Sequence, residues 1–381
     1  MSDLRDNAVS ALLVSPHFTI RTAIPLLLGG FASAYGYGEG ALGDLSSAYS
    51  AGALLSAFAA VILAERLLRL PVLLGMVLGA VGLLTILTGH TYPQIFLGFL
   101  LAGTGYGAGY SWMLSCLAFA KNPNRTLAWQ WSIGTIPGMA LLYVIPGLGG
   151  GAAGLHRMII VTLLANLLVG LVAVTLPRVP PEANALKPAP LEVEQHRRRG
   201  VYLAALALFA VYTGCTGVWS LLARVAEHVG LEPRFAGTSL SIAAGASCAV
   251  ALMVVRWGDR GASRAVMTLG IGLMIAGLGF IAYMPGRLGY AVGVNLAISV
   301  SAVALTYCGG LIARQAQGAG SASVSAIALG AGAILGPAVA GHVYEVWGPE
   351  VMLGLMAIAL LVGLVAYVCA ADRRAARHLS A

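Results

Sequence analysis

The sequence predicts an all-α polytopic membrane protein with twelve transmembrane helices. Hydrophobic residues make up 59% of the 381 residues, charged residues only 9%, and the mean hydropathy is +0.87. A water-soluble domain carries about 25% charged residues, so this chain has too few charges to cover a surface in contact with water. The apolar residues also form long runs separated by short polar segments, which is the pattern that spanning helices require.

A spanning helix needs about 20 mainly apolar residues, and runs of this length occur twelve times. The first half is predicted to span the membrane at 20–40, 44–63, 70–88, 92–119, 126–148 and 157–176. The second half is predicted to span it at 201–223, 236–256, 265–284, 287–311, 321–343 and 349–370. The 50 glycines fit this assignment, because small residues let membrane helices pack closely.

The positions of Lys and Arg predict a multi-pass protein of the cell inner membrane with both termini in the cytoplasm. With the N-terminus inside, 18 of the 22 basic residues fall in cytoplasmic segments, and only Arg157, Arg224, Arg234 and Arg287 fall outside. If one helix had been missed, every later loop would be assigned to the wrong side of the membrane, and the basic residues would no longer fall mainly on the cytoplasmic side. Their distribution therefore tests the helix count independently.

Residues 177–200 differ from the rest of the chain, since they are polar and contain five prolines and a run of three arginines. This composition predicts a cytoplasmic linker between an N-terminal six-helix bundle, residues 1–176, and a C-terminal six-helix bundle, residues 201–381. The arginine run either anchors the seventh helix on the cytoplasmic side or binds anionic lipid headgroups, at about 1 kcal/mol per basic residue.

Two sequence echoes between the halves indicate a duplicated six-helix unit. Glu65 and Asp259, 194 residues apart, are each followed by an arginine and then by a second arginine a few residues later. Pro146, at the end of the fifth predicted helix, and Pro337, in the eleventh, are 191 residues apart. Two echoes at nearly the same offset are expected of a transporter fold built from internal repeats.

The loop between the second and third helices resembles the major facilitator superfamily signature Gly-x-Leu-Ala-Asp-Arg-x-Gly-Arg-Arg. Glu65 replaces the Asp, Val61 and Leu68 stand at the Gly positions, and the matching residues are Leu63, Ala64, Arg66 and Arg69. The loop at 259–264 is similar to a second copy, and residues 332–341 resemble the eleventh helix of the family. The resemblance implies two pseudo-symmetric six-helix bundles and a secondary transporter that works by alternating access.

The resemblance also implies a cytoplasmic gate. In the family, the acidic residue and the arginines of these loops form an ion-pair network that latches the halves in the outward-open state, since such charges pair in only one arrangement of the halves. The corresponding residues are Glu65, Arg66, Arg69, Asp259, Arg260 and Arg264. The alternative is that they only anchor their loops on the cytoplasmic side.

The family's central cavity is lined by its first, fourth, seventh and tenth helices. In this chain those helices carry aromatic and polar side chains at helical spacing, so that they share faces; Phe31, Tyr35 and Glu39 are one such set in the first helix. The candidate substrate-binding residues are Tyr35, Glu39, Tyr106, Tyr110, Tyr212, Trp219, Asn295 and Tyr307. The alternative is that they pack between helices or form aromatic belts at the membrane interface.

The charged residues narrow the substrate class. Arg21 is assigned to the cytoplasmic boundary of the first helix, so no Lys or Arg is predicted near mid-membrane on a lining helix, where a carboxylate or phosphate would need one. The sequence therefore favours a small neutral or aromatic organic solute. The alternatives are an exporter of amphipathic or cationic compounds, with Glu39 as partner of the cation, and a family member that senses rather than transports.

Proton-coupled symport is a further expectation, with Glu39 and His342 as the candidate proton carriers. The net charge of +8 does not indicate a nucleic-acid partner, because the basic residues lie in short segments between apolar runs. The sequence has no phosphate-binding loop or paired-His site, and its five cysteines lie within apolar runs. We therefore expect no enzyme activity, cofactor or metal, and a monomer whose partners are a small molecule, protons and membrane lipids.

Overall fold

The computed structural model describes residues 2–63, 70–117, 123–148, 151–174, 195–257, 263–315 and 319–378. All regular secondary structure among these residues is helical, and besides the α-helices it includes a short 3₁₀ helix at Ile145–Leu148. The helices are α1 (Ser2–Tyr35), α2 (Glu39–Leu63), α3 (Leu70–Thr88), α4 (Tyr92–Leu117), α5 (Pro123–Val144), α6 (Gly151–Val174), α7 (Gln195–His228), α8 (Pro233–Trp257), α9 (Ser263–Tyr283), α10 (Arg287–Ser299), α11 (Ser301–Gln315), α12 (Ala319–Trp347) and α13 (Pro349–His378). Since α10 and α11 together occupy the tenth predicted span, the chain has the twelve spans expected, and the fold class is confirmed.

The turn between the first two helices comes earlier than predicted. Gly36 has φ +67°, and its N–H donates to the carbonyl of Ala32 over 2.9 Å, which is a common way for glycine to end a helix. Glu39 is therefore the first residue of α2. The prediction that Glu39 shares a face of the first helix with Tyr35 is wrong, because the uncharged residues 36–38 extend the apolar run without extending the helix.

α1 begins well before the predicted start of the first span. Its 34 residues correspond to about 51 Å of helix, and Arg21 lies 14 residues, or about 21 Å, before its end at Tyr35. A hydrocarbon layer about 30 Å thick that starts near Tyr35 would reach to about residue 15. Arg21 is thus inside the spanning part of α1, and its assignment to the cytoplasmic boundary is wrong.

The tenth span is interrupted in its middle. α10 ends at Ser299, and Val300 follows as its C-cap with φ −87° and ψ −13°. The hydroxyl of Ser301 donates to the carbonyl of Ile298 over 2.6 Å, which satisfies one of the carbonyls that the helix end leaves free. The uninterrupted apolar run predicted one helix over 287–311, because apolar length does not report a local break in the helical hydrogen bonds.

Measured by apolar length alone, six stretches of the described chain are able to cross a membrane, and all belong to α7–α13. α3 and α6 hold shorter apolar runs, at Leu73–Thr88 and Ala153–Val169. Only described side chains enter this measure, and in the first half many residues at the helix ends are not among them. Polar groups inside the first half face other helices, and α2 gives two examples. Its Ser46 hydroxyl is 3.0 Å from that of Ser220, and its Ser47 donates to a backbone carbonyl of α12 over 2.6 Å. These hydroxyl groups therefore bond to other helices and do not face lipid.

The first six spans meet the last six along two seams, α2 against α12 and α5 against α8. A Cβ added to Gly43 of α2 would lie 2.3 Å from the carbonyl oxygen of Pro337, and one added to Gly237 of α8 would lie 2.4 Å from that of Leu142 and 2.7 Å from Pro146. The two glycines are 194 residues apart, which matches the offset of the sequence echoes. The echoed prolines thus occupy corresponding places in the two seams.

The division into bundles 1–176 and 201–381 stays a prediction. The linker predicted at 177–200 lies outside the described residues, except for 195–200, which form the first turns of α7.

Candidate functional site

A cavity of about 100 Å³ lies between the two halves of the molecule. Helices α1, α5, α7, α8, α10 and α11 contribute to its wall, so both halves form it, as expected for a transporter site at a repeat interface. The lining residues are Phe18, Arg21, Thr22, Trp131, Thr135, Tyr212, Cys215, Thr216, Trp219, Ala244, Ser247, Ile298, Ser301 and Leu305.

Arg21 of α1 is the charged residue of this described lining. Its guanidinium carbon lies 5.0 Å from the ring centroid of Tyr212, within the range of a cation–π contact, and its carbonyl oxygen accepts a hydrogen bond of 3.0 Å from the indole of Trp219. In the part of the chain that the structure describes, no carboxylate forms an ion pair with Arg21. The cavity therefore presents a positive charge at a depth where charged residues are costly and usually functional.

Aromatic rings and hydroxyl groups complete the wall. Phe18 and Trp131 contact each other with ring centroids 4.9 Å apart, and Tyr212 and Trp219 of α7 face them from the second half. The hydroxyls of Thr135 and Thr216 donate to backbone carbonyls of their own helices, so their oxygens can still accept hydrogen bonds from a ligand. The site thus offers apolar rings, hydroxyl acceptors, and one guanidinium as the strong donor.

The structure places two of the eight predicted substrate residues, Tyr212 and Trp219, in the wall of the cavity. Tyr110 lies one layer behind it, with its ring 5.8 Å from that of Phe18. Tyr106 is only 1% exposed and packs against Gly79 of α3, inside the first half.

The remaining predicted residues lie elsewhere. Asn295 donates to the carbonyl of Ala291 within α10, Tyr35 donates to the carbonyl of Gly89, and Tyr307 is a half-buried residue of α11 beyond the lining. Among the described residues, no group of three or more His, Cys, Asp and Glu side chains is placed to hold a metal ion.

The fifth and eighth spans contribute lining residues that the sequence did not predict. Trp131 and Thr135 come from α5, and Ala244 and Ser247 come from α8, whereas α4 contributes none of the lining residues that the structure describes. The seam between α5 and α8 brings these side chains to the cavity. Periodicity within one helix cannot show which neighbour a helix packs against.

A second cluster joins the halves at the Glu39 end, which is the end of the molecule where α1 ends and α2 begins. Arg224 of α7 donates to both carboxylate oxygens of Glu39 over 2.7 to 3.1 Å, and the two side chains are 20% and 14% exposed. Glu227 binds the same guanidinium, and the hydroxyl of Tyr344 donates to the carbonyl of Arg224 over 3.3 Å. Glu39 therefore has a partner in the other half of the molecule.

Two further contacts cross between the halves at this end. A carboxylate oxygen of Glu345 in α12 accepts a 2.7 Å hydrogen bond from the backbone N–H of Gly40. That N–H belongs to the first turn of α2, where donors lack partners within the helix and a negative charge is stabilising. His342 of α12 lies 3.3 Å from the carboxylate of Asp44. Polar contacts between side chains and backbone thus join the two halves at the Glu39 end.

Five of the six residues of the predicted cytoplasmic gate, Glu65, Arg66, Arg69, Asp259 and Arg260, lie outside the described residues. Arg264 is the second residue of α9 and is exposed. The gate implied by the resemblance stays a prediction.

We expect Gly43→Ala to weaken the α2–α12 seam. The added methyl group would overlap the carbonyl oxygen of Pro337, so the helices must separate at a cost of about 1–3 kcal/mol. Gly279→Ala is the matched control, because a Cβ there has no neighbour within 4 Å and both changes gain the same helix propensity. Melting temperatures in detergent test the difference. Equal values for the two variants would show that the close approach at Gly43 is unimportant.

The comparisons with known proteins agree with this architecture. The model of the Major Facilitator Superfamily matches residues 11–322 and 204–380. The nucleoside transporter NupG has a similar structure, with a TM-score of 0.74 at 16% identity, covering 95% of this chain and 98% of that one.

Two further solved structures are similar. A bacterial homologue of the human lysosomal transporter Spinster, in an inward-facing and occupied conformation, gives a TM-score of 0.74 at 13% identity, covering 97% of each chain. The human organic anion transporter MFSD10 gives 0.69 at 17% identity, covering 95% of this chain and 98% of that one. No curated protein sequence matches significantly. At these identities the structural matches show the fold, and the family match shows membership. The chain belongs to the Major Facilitator Superfamily and is a multi-pass membrane protein of the secondary transporter class, not an enzyme.

Proposed function

We propose that this protein transports a small organic anion with an aromatic or otherwise flat apolar body. The observation that carries the proposal is the guanidinium of Arg21, which faces the cavity among aromatic rings and has no carboxylate partner in the described part of the chain. A carboxylate or sulfonate bound there would receive charge-assisted hydrogen bonds from the guanidinium. The sequence favoured a neutral or aromatic solute. We keep the aromatic ring but propose an anion in place of a neutral molecule, because Arg21 lies in the cavity.

The cationic alternative fits the cavity less well. A cation would be repelled by Arg21, and the carboxylate predicted as its partner, Glu39, is already bound by Arg224. The volume of about 100 Å³ also favours a solute with a single ring, since drug-sized ligands occupy pockets of about 300–1,000 Å³.

Alternating access requires each end of the cavity to open in turn. If the N-terminus is cytoplasmic, as the basic residues predict, the Glu39 end faces the outside. The ion pair between Glu39 and Arg224, together with the cap that Glu345 provides for α2, then acts as an extracellular gate in its closed state. Opening this gate breaks those bonds, and the predicted cytoplasmic gate would form in exchange. Because one gate forms as the other breaks, the two halves have two stable relative arrangements.

Three ligands of nearly the same shape test the proposed substrate class. Benzoate, benzamide and benzylamine share a ring but are anionic, neutral and cationic near neutral pH. In thermal unfolding of the purified protein, we expect benzoate to stabilise, because a ligand at 100 times its Kd adds about 2.7 kcal/mol. Benzamide should need at least a tenfold higher concentration for the same effect, and benzylamine should have none. Stabilisation by benzylamine that equals or exceeds that by benzoate would contradict the proposal.

A further inference from the structure

A buried histidine lies one helical turn from Arg21. His17 is 5% exposed, and its ring stacks on those of Tyr110 and Tyr49, with centroid distances of 4.9 and 5.6 Å. Residues four apart on a helix are neighbours, so His17 and Arg21 lie on the same face of α1. An ionisable residue buried in a membrane helix is a functional candidate, and the proposed anion site does not by itself use this one.

The hydrogen bonds around His17 suit both protonation states of its ring. The hydroxyl of Tyr49 lies 3.2 Å from Nδ1 of His17 and 3.3 Å from the carbonyl oxygen of the same residue. When Nδ1 has no proton, the hydroxyl can donate to it. When Nδ1 carries a proton, the ring can donate to the hydroxyl oxygen while the hydroxyl donates to the carbonyl. A proton can therefore bind or leave without moving either side chain.

Arg21 is the permanently charged group that faces His17 among the described residues. The ionisable side chains whose contacts place them around His17 are Tyr49 of α2 and Tyr110 of α4, which stack on its ring, and Arg21 of α1, one turn away. The guanidinium of Arg21 in turn lies over the ring of Tyr212 in α7. Tyrosines are neutral near pH 7. An imidazolium at His17 and the guanidinium of Arg21 repel each other, and an anion bound at Arg21 cancels that repulsion.

We infer that His17 is the proton-binding residue of the transporter, so that one proton binds at its imidazole when an organic anion binds at Arg21. The inference rests on the proposed function. By reciprocity, protonation of His17 strengthens anion binding as much as the anion favours protonation. The proton comes from the water on the side to which the cavity is open, and it returns to water when the anion leaves on the other side. Anion and proton thus cross together, as an electroneutral symport.

This assignment differs from the proton carriers expected from the sequence. Glu39 and His342 lie at the Glu39 end, each against a charged residue of the other half, and neither lines the cavity. His17 does not line the cavity either, but it lies one turn of α1 from Arg21, which does. His342 is 62% exposed, whereas His17 is enclosed beside the anion site. A buried group next to the residue that would bind the anion suits coupling of proton and anion better than a group open to the solvent at the rim.

Calorimetry with benzenesulfonate tests the inference, because this anion stays ionised and any proton taken up must bind to the protein. Binding heats at one pH near 7, in buffers of different ionisation enthalpy, give the number of protons bound. We expect uptake of up to one proton per ligand by the wild type and by His90→Gln, a change in the exposed turn between α3 and α4. We expect none by His17→Gln. If the wild type binds the anion with no proton uptake, or if His17→Gln keeps the uptake, the inference is wrong while the proposed function stands.

A second measurement needs no ligand. Removing the charge of Arg21 should act on His17 as a bound anion does. The NMR titration of the His17 ring in Arg21→Gln protein should therefore move to higher pH by about one unit or more, a gain in proton affinity of about tenfold or more. The ring signal is assigned from its absence in His17→Gln. An unchanged titration would contradict the coupling between Arg21 and His17, even if no test anion binds. If no test anion binds but the titration moves as expected, only the proposed function is contradicted.

Discussion

Arg21→Gln protein is expected to bind benzoate about 100-fold more weakly than the wild type. Hydrogen bonds to charged groups contribute about 1.5–3 kcal/mol, and the guanidinium of Arg21 is the strong donor of the described lining. Benzamide carries no charge, although its carbonyl can still accept a hydrogen bond from the guanidinium, so it should lose less affinity than benzoate. Calorimetric Kd values for the two ligands measure the effect, and the difference between them separates loss of charge recognition from damage to the cavity.

Two more variants give this prediction its controls. Arg21→Lys keeps the charge but loses the flat fork and the contact with the ring of Tyr212, so we expect a loss of about tenfold. Arg234→Gln removes an exposed arginine at the start of α8 and should bind benzoate as the wild type does. If Arg21→Gln weakens benzoate and benzamide equally, Arg21 has a structural role and does not recognise the anion.

The second large effect is expected at the Glu39 end. Glu39→Gln leaves Arg224 with a neutral partner across the seam, while Glu227 in its own helix still binds it. Removing one partner of a largely buried charged pair costs about 1–3 kcal/mol, and the cost falls only on the closed arrangement because only there do the partners meet. The closed-to-open ratio of the Glu39 end should therefore fall about tenfold, within a possible range of about 5- to 150-fold.

Pulsed EPR distances report this ratio. Spin labels at Ser33 of α1 and Val346 of α12 are exposed and lie at this end in different halves. The distance distribution should gain a longer component in Glu39→Gln protein, and the charge exchange of Glu39→Arg with Arg224→Glu should restore part of the short one.

Arg287→Gln is the matched control for the EPR experiment. It breaks an exposed ion pair with Glu232 that lies within the second half, so it should leave the distances unchanged. An unchanged distribution in Glu39→Gln protein would show that the ion pair between Glu39 and Arg224 does not hold this end closed.

Apolar length and the placement of basic residues were enough to predict the fold. Twelve runs give twelve spans, and the echo of Pro146 and Pro337 corresponds to two equivalent seams between the halves. The predicted helix boundaries are wrong where the polarity of the sequence does not mark the start or the end of a helix. α1 begins among charged residues, well before the predicted apolar run. It ends at Tyr35, because the positive φ of the next residue, Gly36, stops the helix without a polar residue.

The candidate site was only partly predictable for a related reason. Tyr212 and Trp219 were found because they share a face of one helix, which is a local property. Arg21 was assigned to the boundary because it stands at the start of the predicted run. The apolar residues 11–14 that precede it were the available signal. Trp131 enters the site through packing of α5 against α8, which a single sequence does not report.

Anion exchange across liposomes containing the purified protein tests the central claim most directly. Benzenesulfonate is suited to this measurement because it stays ionised and does not leak as a neutral acid. We expect the wild type to exchange labelled external benzenesulfonate for unlabelled internal benzenesulfonate, and we expect Arg21→Gln to reduce the rate at least tenfold, with Arg234→Gln unaffected. Exchange that is undiminished in Arg21→Gln protein would contradict the assignment of the cavity around Arg21 as the site of an organic anion.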